Sequence, residues 1–526
     1  MDPGRIEELR NPALFPEQPE MVEILQTHLS VVCLAGDFAY KFKKAIRLPF
    51  ADFSTLENRK FYCEEELRLN RRLCPDVYLE VVPLRRDSEG ALSLGTGSGE
   101  VIDYALRMSR LPAERMLDVL LERNAVSARD VEGIAARMTG FHAKAPRGEE
   151  VLRWGDPEKL RAFALANFDE TLLNAGPERV FPGPLHAALA DRTRRDFDCH
   201  LPLLRKRAAS GYVVDGHGDL HARNICLCDP VAIYDCIEFN PAFRCGDTAT
   251  EHAFLLMDLR FRGHQELAVA YAEAVISGNG DEGMREIVPM LMRYRAMVRA
   301  KVAAMAAGES ELSGTEREDA RETAQAYLRL AAVSAIEEDG PWWLIFCGLP
   351  ASGKSSIALS LAKASGGAWS VFSSDRIRKG LAGIAVNEKL PEECYDPAFS
   401  RRTYEEVRAR ATSATAASRV VILDANFRSR AERCLALTAA REAGARLAIL
   451  HIETNEAIVI ERLAVRADDP ECQSDANRDV YEKLKSVFEA PLVTKAERII
   501  PVSGNISPDG AVDGILAELL VCDQAD

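Results

Sequence analysis

The chain has 526 residues, and a usual domain size of roughly 100–200 residues predicts two or more domains. Hydrophobic residues make up 47% and charged residues 28% of the chain, which is ordinary globular usage and excludes disordered, collagen-like and fibrous classes. The formal net charge of −15 disfavours a protein whose main task is to coat nucleic acid or an anionic membrane.

The cysteines and the N-terminus indicate the cellular setting. Thirteen cysteines are scattered without a CxxC pair, the closest two being Cys226 and Cys228, so neither a zinc ribbon nor a disulfide framework is indicated. Residues 1–20 lack the apolar segment of a signal peptide, and no run of about 18 apolar residues follows. We therefore expect a soluble, cytoplasmic protein without a membrane partner, whose oligomeric state the sequence leaves open.

The N-terminal two thirds mix strands and helices. Residues 30–110 are typical of strands and hairpins, with two strands on either side of Gly36-Asp37 and a third beginning at residue 100. Helical periodicity follows over 113–205 and returns over 250–335, with short strands between these stretches. Gly340-Pro341 then ends the last of these helices.

After this helix the chain alternates regularly between strand and helix. Apolar strands are predicted in WWLIFCGLP, WSVFSSD, RVVILDANF and RLAILHIET, each followed by a helical stretch. This alternation predicts a parallel sheet flanked by helices. We place one domain at 1–335, with lobes at about 1–110 and 111–335, a linker at 336–340, and a second domain at 341–526.

The second domain begins with a phosphate-binding loop of the Walker A type. GLPASGKS, residues 348–355, fits GxxxxGK[ST] and lies between an apolar strand and a helix, which disfavours a plain glycine turn. Backbone N–H groups and the helix N-terminus would bind phosphate, the lysine would add positive charge, and the Ser355 hydroxyl would bind Mg²⁺. The positions assigned to nucleotide binding are Gly348, Ser352, Gly353, Lys354, Ser355 and the helix-start residue Ser356.

Polar residues at later strand ends suggest a kinase. Asp375, at the end of WSVFSSD, can accept a proton from a hydroxyl acceptor, while Arg378 on the same helical face can hold the acceptor or its anionic group. The alternative is a carboxylate that only complements a helix dipole. Asp424 ends the next strand as a Walker B-type metal partner, and Arg462 and Arg466 share a face suited to clamp the transferring phosphoryl group.

These motifs carry a resemblance. GLPASGKS, SSDRIR, VILDANFRSR and ERLAVR resemble the P-loop small kinases that group with zeta toxins, gluconate kinase and polynucleotide 5′-hydroxyl kinases. The likeness covers about 341–505 and implies Mg-ATP as phosphoryl donor and a hydroxyl acceptor. It leaves the acceptor open among sugars, nucleotide sugars and nucleic acid ends.

A second constellation lies in the first domain. HGDLHARN, residues 217–224, leads into a predicted hairpin with its turn at Asp229-Pro230, which would bring Asp219, Asn224 and Asp235 together. One carboxylate can deprotonate a hydroxyl, while the amide and the second carboxylate hold Mg²⁺ on the ATP phosphates.

HGDLHxxN followed by IYD resembles the aminoglycoside phosphotransferase and choline kinase branch of the protein-kinase-like fold. The resemblance covers about 30–260. It implies that Asp219 is the catalytic base, that Asn224 and Asp235 bind metal, and that His217 and His221 stabilise the loop.

Such a kinase also needs a strand lysine for the α- and β-phosphates and a helical glutamate to hold it. Alternation in FAYKFKK places Lys41 and Lys43 on one face; we choose Lys41, with Lys43 a close second. Glu66 is preferred over its two acidic neighbours. The resemblance places the adenine-binding hinge near Met108, although the chain has no GxGxxG roof over the phosphates.

Arg244 and Asp247 lie just beyond Asp235 and could form either a supporting ion pair or a plain surface pair.

The sequence therefore predicts an α+β, bilobal protein-kinase-like domain followed by an α/β P-loop domain. The expected function is a bifunctional, Mg-ATP-dependent phosphotransferase acting on small-molecule hydroxyl acceptors. In one alternative, the first domain is a nucleotide-binding regulator of a single C-terminal kinase. In another, the P-loop domain phosphorylates the 5′-hydroxyl end of a polynucleotide, with a steep salt dependence of binding.

Overall fold

The computed structural model describes residues 3–48, 50–173, 180–309, 312–467, 477–492 and 498–521. Contacts between residues divide the chain into two compact units. The first comprises Met1–Ala162 and Cys199–Met292, and the second comprises Phe163–Asp198 and Arg293–Asp526. The segment 336–340, where the sequence predicts a linker, lies inside the second unit.

The first unit begins with an antiparallel sheet and two helices. Their bounds are α1 (Pro3–Glu8), β1 (Val22–Gln26), β2 (Ser30–Ala35), β3 (Phe38–Lys43), β4 (Arg47–Leu48), β5 (Ala51–Asp52), α2 (Leu56–Asn70), β6 (Tyr78–Arg86), β7 (Leu92–Leu94) and β8 (Glu100–Ser109). Six strands form one sheet in the order β1-β2-β3-β8-β6-β7, while β4 and β5 pair separately. The predicted hairpin around Gly36-Asp37 is confirmed, because β2 and β3 pair antiparallel from Ser30–Lys43 to Ala35–Phe38.

Alternation along β3 decides which side chains reach the candidate site. Tyr40 and Phe42 are fully buried and pack with Val31 and Cys33 in one apolar cluster. Because successive side chains of a strand point to opposite faces, the two lysines of β3 lie on the other face.

Helices with a few short strands follow. Their bounds are α3 (Leu117–Glu122), α4 (Ala128–Lys144), α5 (Glu149–Trp154), α6 (Pro157–Leu173), α7 (Gly183–Ala209), β9 (Val213–Asp215), β10 (Ile225–Cys226), β11 (Ala232–Ile233), α8 (Pro241–Arg244), β12 (Cys245–Asp247), α9 (Thr248–Phe261), α10 (Gln265–Asn279), α11 (Met284–Ala307) and α12 (Gly314–Asp339). β10 and β11 form the predicted hairpin, with Ile225 opposite Ile233 and Asp229-Pro230 in the connecting turn. β9 pairs with β12.

The last part of the chain alternates strand and helix as the sequence predicts. The elements are β13 (Trp342–Cys347), α13 (Lys354–Ala364), β14 (Ser370–Ser373), α14 (Ser374–Ala382), α15 (Pro397–Thr415), β15 (Val420–Asp424), α16 (Arg430–Glu442), β16 (Arg446–Glu453), α17 (Glu456–Ala467), α18 (Arg478–Ser486), β17 (Arg498–Ser503) and α19 (Pro508–Leu520). The strands form a parallel sheet in the order β14-β15-β13-β16-β17, so the strand that leads into the phosphate loop is central. The edge strand β17 was not predicted.

The end of α12 is joined to other parts of the second unit. Ile336 is fully buried, and Arg192 of α7 forms ion pairs with Glu338 at 3.1 Å and Asp339 at 2.5 Å. Gly340 ends the helix, as predicted. Across the part of the chain that the structure describes, no helix combines the length and apolar character needed to cross a membrane.

Candidate active sites

The loop of residues 217–224 joins β9 to β10 in the first unit. The side-chain amide of Asn224 donates to the backbone carbonyl and to Oδ2 of Asp219, each at 3.0 Å. His221 Nε2 lies 3.3 Å from the same carboxylate oxygen, and the Asp219 N–H donates to His217 Nδ1 at 3.2 Å. Gly218 has φ +91°, a backbone conformation that side chains strongly disfavour. The structure thus brings the predicted base and one predicted metal ligand into direct contact.

Lys41 joins three separate elements at this site. Its Nζ lies 2.8 Å from Glu66 Oε1 on α2 and 2.6 Å from Asp235 Oδ1, just after β11. Asp235 itself has φ +65°, and its N–H donates to the hydroxyl of Tyr78 at 3.1 Å. The preceding residue, Tyr234, donates its N–H to the Asn224 carbonyl at 3.0 Å, which links Asp235 to the loop.

Lys43 also reaches Glu66. Its Nζ lies 2.6 Å from Glu66 Oε2 and forms a second, short ion pair with Glu238. Lys41 and Lys43 were predicted as alternatives, whereas in the structure both form ion pairs with Glu66. Glu238 was not predicted to take part.

Their opposite charges keep Lys41 and Glu66 ionised. Burial alone would lower the pKa of Lys41, but the carboxylates of Asp235 and Glu66 outweigh burial and raise it well above its usual range. Burial would raise the pKa of Glu66, yet the charges of the two lysines lower it to about 2. Both groups are therefore charged at neutral pH.

Helix α9 fixes the loop from behind. Glu251 Oε1 accepts the N–H groups of His217 and Gly218, while its Oε2 lies 2.6 Å from His142 Nε2. Asp258, seven residues later, accepts the N–H of Ala222 at 2.8 Å. Neither Glu251 nor Asp258 was predicted from the sequence to hold this loop. The signal was available, because each is a charged residue inside the apolar run HAFLLMDL or next to it, and buried charges need partners.

The remaining predictions for the first unit have mixed outcomes. Met108 lies on β8 opposite Ala39 and Tyr78 and is half-buried; its role as a hinge stays a prediction. The suggested pair between Arg244 and Asp247 is wrong. Arg244 instead pairs with Asp215 at 2.8 Å, while both oxygens of Asp247 accept from the buried Arg207. Each of these buried charges takes a partner that lies elsewhere in the fold.

The phosphate loop of the second unit turns between β13 and α13. Gly353, at φ +101°, immediately precedes the helix, whose first N–H groups are directed toward the loop. The Ser352 side-chain oxygen is buried without a hydrogen-bond partner among the described residues. Lys354 is buried, with its Nζ donating to the Leu349 carbonyl at 2.6 Å, while Ser355 and Ser356 are exposed on the first helical turn. This arrangement fits a polyphosphate, which offers acceptors to N–H and ammonium groups.

Neighbouring segments support the outer side of this loop. A Cβ added to Gly348 would lie 2.9 Å from the Ile452 carbonyl oxygen, so the loop runs close to β16. Thr454 donates its hydroxyl to the Ser352 carbonyl at 2.8 Å. Arg462 of α17 donates to the carbonyls of Ala351 at 3.4 Å and Gly504 at 2.9 Å. Arg462 therefore lies against the loop backbone, as a residue near the phosphates should.

Two carboxylates lie at the same sheet edge as the phosphate loop. Asp424 ends β15, directly beside the central β13, and Asn426 two residues later accepts the Gly348 N–H at 3.2 Å. In the neighbouring strand β14, Ser373 is opposite Asp424. The strand ends at Ser373, so Asp375 lies on the first turn of α14 rather than at a strand end. Both carboxylates remain predictions for metal binding and proton transfer.

Arg378 has partners that the sequence did not reveal. Its guanidinium donates to the Cys394 carbonyl at 2.7 Å and to the Ser400 hydroxyl at 3.2 Å, and lies 5.1 Å from the Tyr395 ring. It therefore holds the segment before α15, and its contact with an acceptor stays a prediction. The side chain of Arg466 lies outside the described residues.

Two pairs of oxygen donors are predicted to hold Mg²⁺ together with the ATP phosphates. Within the described ranges, no group of three or more His, Cys, Asp or Glu side chains could hold a metal ion. Mg²⁺ typically uses one or two carboxylates together with substrate phosphates and water. Asn224 with Asp235, and Ser355 with Asp424, are oxygen donors of that kind.

A family comparison supports the assignment of the second unit. Residues 344–491 match the model of an AAA domain family. Together with the loop geometry, this match shows that the C-terminal part is a P-loop domain of the α/β class.

Relatives that match most of this chain, and several solved structures, are also similar. Uncharacterized proteins of Mycobacterium bovis and Mycobacterium tuberculosis are 26% identical over 468 residues, which cover 88% of this chain and 89% of each relative. A Sinorhizobium meliloti gluconokinase is 19% identical and covers 34% of this chain and 91% of its own (TM-score 0.25). The APS kinase of Mycobacterium tuberculosis is 20% identical, over 35% and 99% (TM-score 0.26). A Plasmodium vivax ethanolamine kinase is 8% identical, over 58% and 81% (TM-score 0.37).

Proposed function

We propose that the protein is a bifunctional ATP-dependent phosphotransferase, in which each of two sites transfers the γ-phosphoryl group of ATP to a small-molecule hydroxyl acceptor. One observation supports a kinase activity of the first unit: Lys41 forms ion pairs with both Glu66 and Asp235. These three residues come from distant parts of the chain. A strand lysine paired to a helical glutamate, with a metal-binding aspartate beside it, is the arrangement a kinase-like site needs.

In the first unit, the proposed roles follow from the contacts. Asp219 accepts the proton of the acceptor hydroxyl, while the Asn224 amide and His221 hold that carboxylate in one orientation. Lys41 binds the phosphates and Glu66 orients its ammonium group. Asn224 and Asp235 would hold Mg²⁺, which supplies charge neutralisation on the phosphates when bound.

In the second unit, the loop backbone and Lys354 bind the phosphates from one side. Ser355 and Asp424 would hold the metal, and Asp375, on the first turn of α14, accepts the acceptor proton. Arg462, already against the loop backbone, neutralises charge on the transferring group. The two sites use different residues, so each site has its own hydroxyl acceptor in this proposal.

Label transfer from γ-labelled ATP into a deproteinised cell extract tests this function. The extract is separated into small-molecule and nucleic-acid fractions, and unsubstituted protein is compared with Asp219→Ala and Lys354→Ala. We expect two labelled products in the small-molecule fraction, each lost in only one variant. A single product that is lost only in Lys354→Ala would reduce the first unit to a binding or regulatory module. Label at polynucleotide 5′ ends would instead assign a nucleic acid acceptor to the P-loop site.

A further inference from the structure

Five charged side chains form a continuous chain of ion pairs in the first unit. In order they are Asp235, Lys41, Glu66, Lys43 and Glu238, with N–O distances of 2.6, 2.8 and 2.6 Å for the first three pairs and a short contact for the last. The described kinase roles require only the first three residues. The proposed catalytic and binding roles therefore do not explain why Lys43 and Glu238 are present.

The two ends of this series of ion pairs differ in exposure. The Asp235 side chain is 41% exposed and that of Lys41 is 15% exposed, whereas those of Glu66, Lys43 and Glu238 are 1%, 2% and 8% exposed. Only the Asp235 end is open to a ligand. Lys43 lies too deep to reach a phosphate, and its ammonium group is also 5.0 Å from the Phe53 ring.

We propose that Lys43 and Glu238 are positioning residues that hold Glu66 from its buried side, which leaves Lys41 as the lysine that binds phosphate. This inference rests on the proposed kinase function of the first unit. A buried carboxylate is strongly disfavoured without counter-charge. Lys43 supplies that charge to Glu66 even when Lys41 turns toward a nucleotide, and Glu238 in turn balances Lys43.

Further hydrogen bonds join the C-terminal end of α2 to residues outside the series of ion pairs. Asn70, at the end of α2, accepts the Cys236 N–H at 2.9 Å. Arg72, just beyond the helix, donates to the carbonyls of Asp215 and Gly216 at 2.8 and 2.6 Å. The C-terminal end of α2 is thus bound both to Cys236, next to Asp235, and to the end of β9.

The test uses the full chain with Lys354→Ala, which removes nucleotide binding at the phosphate loop. MgATP affinity is measured by calorimetry, and amide hydrogen exchange is measured over Leu56–Asn70. In this background we expect Lys41→Met to weaken MgATP binding at least tenfold without faster exchange in α2. Lys43→Met should weaken binding severalfold and accelerate exchange in α2, because the buried Glu66 and Glu238 lose the cation that joins them.

The double variant Lys43→Met/Glu238→Gln separates positioning from loss of folding. Removing the unpaired carboxylate should restore MgATP binding relative to Lys43→Met alone, which a simple loss of packing would not do. Weaker binding in Lys43→Met with unchanged exchange would make Lys43 itself the phosphate lysine and overturn the inference. If Lys41→Met and Asp235→Asn both bind MgATP normally, the proposed nucleotide site fails, and that outcome is distinct from failure of the positioning role alone.

Discussion

Arg329 of α12 and Asp513 of α19 form an ion pair with two hydrogen bonds: Nε donates to Oδ1 at 2.7 Å, and a terminal nitrogen donates to Oδ2 at 2.9 Å. The Asp513 side chain is 9% exposed, and α19 follows the last strand of the P-loop sheet. A helix that precedes the predicted domain boundary is therefore bonded to the C-terminal end of the P-loop domain.

Breaking this pair should destabilise the second unit. We expect Arg329→Met to lower the free energy of unfolding by about 1–3 kcal/mol, because the Asp513 carboxylate is left buried without its partner. The matched control is Arg317→Met, an exposed position on the same helix. Urea unfolding followed by fluorescence measures both, and equal stability of the two variants would contradict the structural role of the pair.

Substitution by alanine should have opposite effects at Gly504 and Gly514, two glycines near the end of the chain. A Cβ at Gly504 would lie 2.0 Å from Thr454 Oγ1 and 2.4 Å from the Ser352 carbonyl oxygen, so Gly504→Ala must displace the phosphate loop. We expect nucleotide binding at this site to weaken at least tenfold. Gly514 lies within α19 with no atom within 4 Å of an added Cβ, and Gly514→Ala should keep affinity and stabilise by up to about 1 kcal/mol. Calorimetry and thermal unfolding distinguish these outcomes.

Glu251 predicts a dependence of stability on acid pH. Burial would raise the pKa of Glu251, but its hydrogen bond to His142, the charges of His142 and His217, and the Gly218 N–H lower it from 4.5 to about 2. The ionised carboxylate therefore stabilises the fold above about pH 4.5, and this contribution is lost as the pH falls toward 2. Unfolding free energy should fall more steeply between about pH 5 and 2 in the unsubstituted protein than in Glu251→Gln, by up to roughly 3 kcal/mol.

The control for this prediction is Glu132→Gln, at an exposed position on α4, the helix that carries His142. It should keep the pH slope of the unsubstituted protein. Identical slopes for that protein and Glu251→Gln would mean that Glu251 is not held in ionised form by the loop.

We expect Arg378 mainly to stabilise the segment around residues 392–400. Arg378→Met removes the donors to the Cys394 carbonyl and the Ser400 hydroxyl, so amide exchange over residues 392–400 should rise severalfold. Nucleotide affinity at the phosphate loop should stay within twofold, because Arg378 has no described contact with that loop. Unchanged exchange, together with loss of acceptor turnover only, would instead support direct acceptor binding.

Local signals in the sequence were sufficient for most of the strands and helices and for the phosphate loop. The GxxxxGK[ST] spacing and the strand–helix alternation are properties of neighbouring residues, and β13, α13 and their parallel partners formed as predicted. The edge strand β17 carried a weaker signal, because only two of its six residues are buried. Alternation likewise placed Lys41 and Lys43 on one face of β3 before any tertiary contact was known.

Partner choice among buried charges was decided only by the tertiary structure. Glu238 is 195 residues from Lys43, and Asp235 is 194 residues from Lys41, so no local pattern could pair them. The same holds for Arg244, which selected Asp215 over the nearby Asp247. Sequence determined which charged groups the chain would have to bury or expose. Because a desolvated charge requires an opposite charge from whichever segment reaches it, only the folded chain determined which residues meet.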